Sequence, residues 1–140
     1  MKRSSDPRAT YLIAALGLVA LLEPLAIAQR SRIETGAWGG DHIALEVTRA
    51  GARVEFDCAH GTLDQPLRPD RRGTFDVKGT FTSEAGGPTR RNPSTQSRAA
   101  QYSGHISGST LTLTVVLAGT KESIGTFTLT RGQPRITKCQ

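Results

Sequence analysis

Six side chains in this sequence are of a type and spacing that could do chemistry: Cys58, Cys139, Asp41, His42, Asp57 and His60. Imidazole and carboxylate together suit zinc or a similar ion, so Asp41, His42, Asp57 and His60 form a candidate metal set. Their spacing matches no metal motif, and outward residues on a strand are ordinarily solvated. The plainer reading is a hydrogen-bonded rim, with Asp41 capping its loop or pairing with His60. Hydrolysis finds less support. There is no Gly-x-Ser-x-Gly elbow and no nucleophile–base–orienter set. Cys58 could act as a nucleophile with His60, but the second cysteine favours a bridge, and His105 reads as a surface residue. The sequence therefore points away from an enzyme, with no metal or other cofactor expected.

The compartment follows from the first 28 residues. Lys2, Arg3 and Arg8 precede a twelve-residue apolar run, YLIAALGLVALL, which Glu23 and Pro24 break. Ala26-Ile27-Ala28 then presents small residues at the cleavage positions, the pattern of a secretory signal peptide cut after Ala28. A membrane anchor needs roughly 18 or more apolar residues, so no stable membrane span is expected after cleavage. No cysteine follows the run to carry a lipid anchor. Residues 29–140 are expected to form one exported domain, secreted or periplasmic and monomeric. In an oxidising compartment Cys58 and Cys139, which lack Cys-x-x-Cys spacing, are expected to pair as a disulfide.

The whole chain carries a formal charge of +6, and loss of the leader leaves +5. The basic residues gather in RPDRRG (68–73) and PTRRNPSTQSR (88–98), both read as loops. A basic balance can attract anionic partners. No nucleic-acid motif accompanies the charge, and aromatic residues make up only 5% of the chain, leaving few stacking platforms. Solvated loops are the better reading, without nucleic acid as a partner.

The elements that must position these residues are strands. Almost every segment after the leader alternates apolar and polar residues with period two, and none carries a helical stripe. HIALEVT (42–48) and RVEFDC (53–58) form the clearest hairpin. A two-residue Ala50-Gly51 link would set Val47 opposite Val54, Leu45 opposite Phe56 and Ile43 opposite Cys58. The same register places Asp41 opposite His60 and Ala44 opposite Asp57. GTLDQPL (61–67) is weaker because of Pro66. TFDVKGTF (74–81) turns Phe75, Val77 and Phe81 inward, with Gly79 marking a bend or a bulky neighbour. After a Gly/Pro/Arg/Ser loop over 83–97, strands are expected at 99–106, 109–117, 123–130 (Phe127 and Leu129 inward) and 135–139. That makes eight short strands in up-and-down order. Such a meander removes its open edges by closing into an all-β antiparallel barrel. Strands two and eight would end at one rim, where Cys58 and Cys139 could meet.

Gly36-Ala37-Trp38 before the first of these strands, with Arg131 just after the seventh, resembles the signature of the calycins, which include lipocalins and avidins. The resemblance implies a barrel whose Trp38 plugs one end while Arg131 lies across the indole. The sequence departs from that pattern in its Gly39-Gly40 pair and its short strands. Over a longer stretch, TGAWGGDHIALEV, VEFDCAHGTLDQPL, EAGGP and GTFTLTRG are similar to a group of uncharacterised secreted bacterial β-proteins, which implies export and a β domain without an established activity. The resulting expectation is a non-catalytic, calycin-like binding protein that meets a protein or cell-envelope component through rim loops or the segment 29–35. The alternatives are a carrier of a small apolar ligand inside the barrel and a metal-dependent enzyme using Asp41, His42 and His60.

Overall fold

Most of the alternating apolar and polar segments become strands in the computed structural model, which describes residues 33–84 and 96–139. The expected signal peptide and its cleavage point lie outside the described residues, as do positions 29–32 and most of the 83–97 loop. Eight strands run in chain order: β1 Gly36–Gly40, β2 Ile43–Val47, β3 Ala52–Phe56, β4 Ala59–Leu63, β5 Thr74–Ser83, β6 Ser97–Ser107, β7 Thr110–Leu117 and β8 Ser123–Arg131. Each pairs antiparallel with the next, and β8 pairs with β1 to close the barrel. The turns after β1, β3, β5 and β7 therefore lie at one end, and those after β2, β4 and β6 at the other. Among the described residues, no helix is long and apolar enough to cross a membrane.

The strand count agrees with the sequence reading, but two of its members do not. GAWGG is a strand, although its three glycines disfavour one intrinsically. RITKC is not a strand. Its Arg135 forms only an isolated parallel bridge with Asp41. Glycine is needed in β1 because the chain doubles back over it after β8. A Cβ at Gly39 would lie 2.5 Å from the Pro134 nitrogen and 2.6 Å from the Gln133 carbonyl. Arg131, expected just beyond a strand, is the last residue of β8 and pairs with Trp38.

The β2–β3 register is also corrected. Ile43 pairs with Phe56, Leu45 with Val54 and Val47 with Ala52, two residues away from the expected pairing. The turn is the four-residue Thr48–Gly51 rather than Ala50-Gly51, held by Thr48 N–H donating to Gly51 O at 2.8 Å. A slip of two preserves which face each side chain occupies, so alternation alone cannot detect it. As a result His60 lies opposite Glu55 instead of Asp41, and Ala44 also pairs with Glu55 rather than with Asp57. Cys58 falls in the Asp57-Cys58 turn between β3 and β4, not within a strand. Strand β4 stops at Leu63, before Pro66.

The inward residues of all eight strands form one core, in which Ile43, Leu45, Leu111, Leu113, Leu117 and Leu129 are almost fully buried. The largest fully buried side chain is Tyr102, which the apolar pattern does not single out. Its hydroxyl donates to Thr80 O at 2.6 Å, and burial pushes its pKa up. A Cβ at Gly61 would strike that hydroxyl, so glycine in β4 leaves room for the tyrosine. At Gly79 the close neighbour is the Thr62 carbonyl, which fits a strand bend rather than a bulky side chain. Tyr102→Phe should cost about 0.5–1.5 kcal/mol by removing one buried hydrogen bond. The urea midpoint measures this, and an unchanged midpoint would mean that the hydroxyl contributes nothing net.

Candidate functional site

At the end holding the β2–β3 turn, Gly36, Trp38 and Arg131 come together. Trp38 is 2% exposed and its indole N–H donates to Glu34 O at 2.9 Å. The Arg131 guanidinium carbon lies 5.5 Å from the ring centroid, within cation–π range. The same guanidinium donates to Thr35 O at 2.8 Å and sits 3.6 Å from a Glu34 carboxylate oxygen. Gly36 has a φ of 109°, and a Cβ there would press against Arg131 Nη1 at 3.3 Å. The indole N–H and the guanidinium are both spent on closing the barrel end.

The opposite end is open. Phe56, Phe81, Ile124 and Phe127 line an apolar mouth of about 280 Å³, with His42, Asp57, Cys58 and Ala59 completing its edge. Phe127, expected inside, is only half-buried here. Beside it lies a bulge. Val115 pairs with Gly125 and Val116 with Ser123, leaving Ile124 without a partner across the ladder. Bulges commonly re-aim side chains in this way.

The expected disulfide is present, with Cys58 and Cys139 Cα atoms 5.2 Å apart. Its geometry differs from a link between strand ends, because Cys139 belongs to a tail that returns along β1. Arg135 N–H donates to Gly40 O at 3.0 Å, His42 N–H to Arg135 O at 2.7 Å and Cys139 N–H to Asp57 O at 3.1 Å. The tail follows these partners instead of joining the sheet as a ninth strand.

Asp41, His42, Asp57 and His60 all lie at this rim but divide among separate partners. Asp41 meets Arg135 Nε at 2.5 Å, His42 Nδ1 lies 2.6 Å from Asp57 Oδ2, and His60 Nδ1 lies 2.7 Å from Glu84 Oε1. Neither the expected Asp41–His60 pair nor a four-residue set forms. Among the described residues no three His, Cys, Asp or Glu side chains gather where they could hold a metal. Lys138 joins the rim at 3.2 Å from Glu55 and 3.7 Å from Glu84. Glu84, Arg135 and Lys138 escaped the sequence reading. Glu84 sits in a loop without periodicity, and the other two belong to the segment taken as a strand. Exposed pairs of this kind contribute at most about 1 kcal/mol each.

Two of these residues are held more firmly than an ordinary rim. His42 occupies the left-handed region at φ 65°, which costs a non-glycine residue roughly 1–2 kcal/mol. Asp57 accepts the Thr137 N–H at 2.8 Å on its other oxygen. That backbone bond, reinforced by His42, holds the Asp57 carboxyl below its ordinary value of 3.8. Glu84 is likewise lowered, chiefly by its hydrogen bond with His60. A depressed folded-state pKa contributes stability above the unfolded value and loses it as pH falls through the folded one. The rim should therefore loosen at pH values below 3.8. Thermal midpoints from pH 6 down to pH 2 should fall less steeply for Asp57→Asn than for the unaltered protein. Equal slopes would remove Asp57 from the acid response.

No protein-family profile, curated protein or solved structure matches the chain.

Proposed function

We propose that this is an exported, non-catalytic binding protein of calycin-like shape that takes a protein or envelope partner at its disulfide-bordered mouth. The observation that carries the reading is the apolar mouth itself, where two half-buried side chains, Ile124 and Phe127, stand beside Phe56 and Phe81. Apolar groups left at a rim can gain burial from a partner, roughly 1.5–3 kcal/mol for one large side chain. The leader pattern and the oxidised cysteine pair support export. The Trp38–Arg131 stack supports the calycin-like reading, and the divided rim pairs argue against a metal-dependent enzyme. The filled interior, with Tyr102 across it, favours contact at the rim over carriage of a ligand inside.

Native mass spectrometry of the protein isolated from its source tests this reading. A co-purifying protein or envelope component is expected, reduced roughly tenfold or more by Ile124→Glu, the effect of losing about 1.4 kcal/mol. Circular dichroism would establish that the variant remains folded. A retained small molecule, or a partner indifferent to Ile124→Glu, would overturn the proposal.

A further inference from the structure

We propose that the Cys58–Cys139 bridge is a reducible latch: a protein dithiol cleaves it in the folded state and frees the C-terminal tail while the eight-strand barrel stays closed. The proposal holds whatever occupies the mouth.

Access comes first. Cys58 sits in the turn between β3 and β4 and Cys139 in the returning tail, and both are exposed. Thiol–disulfide exchange depends on a thiolate reaching one sulfur, and exposed bridges are the ones that exchange readily. One thiolate of the dithiol attacks a bridge sulfur, forming a mixed disulfide and expelling the other cysteine as a thiolate, which takes up a proton. The second thiolate of the dithiol then attacks its own half of the mixed disulfide and releases the remaining cysteine. The bridge gains two electrons and the dithiol becomes a disulfide.

The tail has little else to keep it in place. Among the described residues none beyond Leu129 belongs to the core, and Pro134 and Ile136 are only half-buried. Arg135, Thr137 and Cys139 are fixed by hydrogen bonds to Gly40, His42 and Asp57. A net hydrogen bond offsets about the cost of ordering one residue of backbone, and exposed ion pairs such as Arg135–Asp41 add little. The covalent bond to Cys58 is therefore what holds the segment down. The barrel depends on it less, because its core comes from residues 33 to 129 and its closure from the Trp38–Arg131 and Gly39–Thr130 pairs.

Release reshapes the edge of the mouth. Asp57 loses the Thr137 N–H, Asp41 loses the Arg135 guanidinium, and the His42 N–H loses Arg135 O. His42 then has one fewer restraint on its left-handed backbone, φ 65°, at the turn that borders the mouth. Gly39, which lies against Gln133 and Pro134 in the oxidised protein, is uncovered at the same time. Oxidised and reduced protein thus present two different rims on one barrel.

Dithiothreitol, as the probe dithiol, tests the latch under native conditions, with thiol trapping and mass measurement to follow reduction. The rate is expected to stay constant as urea is raised toward the unfolding transition, because attack needs no unfolding. After reduction, amide exchange at Arg135, Thr137 and Cys139 should quicken roughly tenfold or more, equivalent to about 1.4 kcal/mol of lost anchoring. Far-UV circular dichroism should keep its strand signal, and the Leu113 amide should remain slower to exchange than those of the tail. A reduction rate that climbs with urea would show a bridge shielded until the protein unfolds, and would overturn the proposal. So would unchanged tail exchange after reduction. Loss of the strand signal on reduction would make the bridge a staple of the whole barrel and overturn the latch equally.

Discussion

Replacing Cys58 and Cys139 with serine is expected to lower stability by about 2–5 kcal/mol, the larger values corresponding to the chain-entropy cost of a loop this long. The two cysteines are 81 residues apart, so the bridge restricts most of the unfolded barrel. The native state adds a local reason for a large effect. The β1–β8 contact comprises only the pairs Trp38–Arg131 and Gly39–Thr130, and beyond it the returning tail supplies the partners of β1. Cutting the bridge frees the tail that completes this seam. Guanidinium midpoints at one pH measure the total loss, and amide exchange at Gly40 and His42 reports whether the seam opens locally. A loss below about 1 kcal/mol would show that the tail holds by its hydrogen bonds alone.

Trp38→Ala should cost about 3–5 kcal/mol, the range for removing a large buried aromatic side chain. Arg131→Met, which keeps an apolar stem over the indole, should cost only about 0.5–2 kcal/mol, the value of the cation–π contact. The contrast separates a plug that works by filling space from one that works by charge. Each single variant already removes the contact of Arg131 with Trp38, so the double variant should lose less than the two single losses combined. Strict additivity in urea titrations would mean that the stack and the plug are energetically independent.

The class of fold was legible because a strand half-buried in a barrel leaves an alternating record, and most of the strands here keep it. Placement was harder to read for specific reasons. Ile43, Leu45 and Val47 show which face is inside, but a slip of two residues along Val54 and Phe56 leaves that face unchanged. The glycines of GAWGG hide a strand because Gly39 admits the returning tail and Gly40 the Thr128 carbonyl, close approaches that exist only in three dimensions. RITKC imitates a strand by its pattern, yet Thr137 and Cys139 spend their N–H groups on Asp57 rather than on a ladder. Residue types at the rim could be named in advance. The division of Asp41, His42, Asp57 and His60 among Arg135, one another and Glu84 depended on register and on the tail. The mouth was harder still. Phe127 reads as an ordinary inward residue and keeps its pairing with Leu113, whereas Ile124 carries no such expectation, and the bulge opposite Val115 and Val116 that leaves it unpaired has no sequence signal.

The short β1–β8 seam also dictates the order in which the molecule can be made. Neighbouring strands meet through local turns and can assemble progressively as a curled ribbon. The contact of Arg131 with Thr35 spans 96 residues, so the first strand must wait for the last. Contacts of such separation are slow to form because their closure entropy comes before any reward. During that interval β1 and β8 are two bare edges of one sheet, each able to pair with another chain. Refolding at increasing protein concentration should therefore divert chains into strand-paired aggregates at this joint before any other, and early oxidation of Cys58 with Cys139 should shorten the exposure.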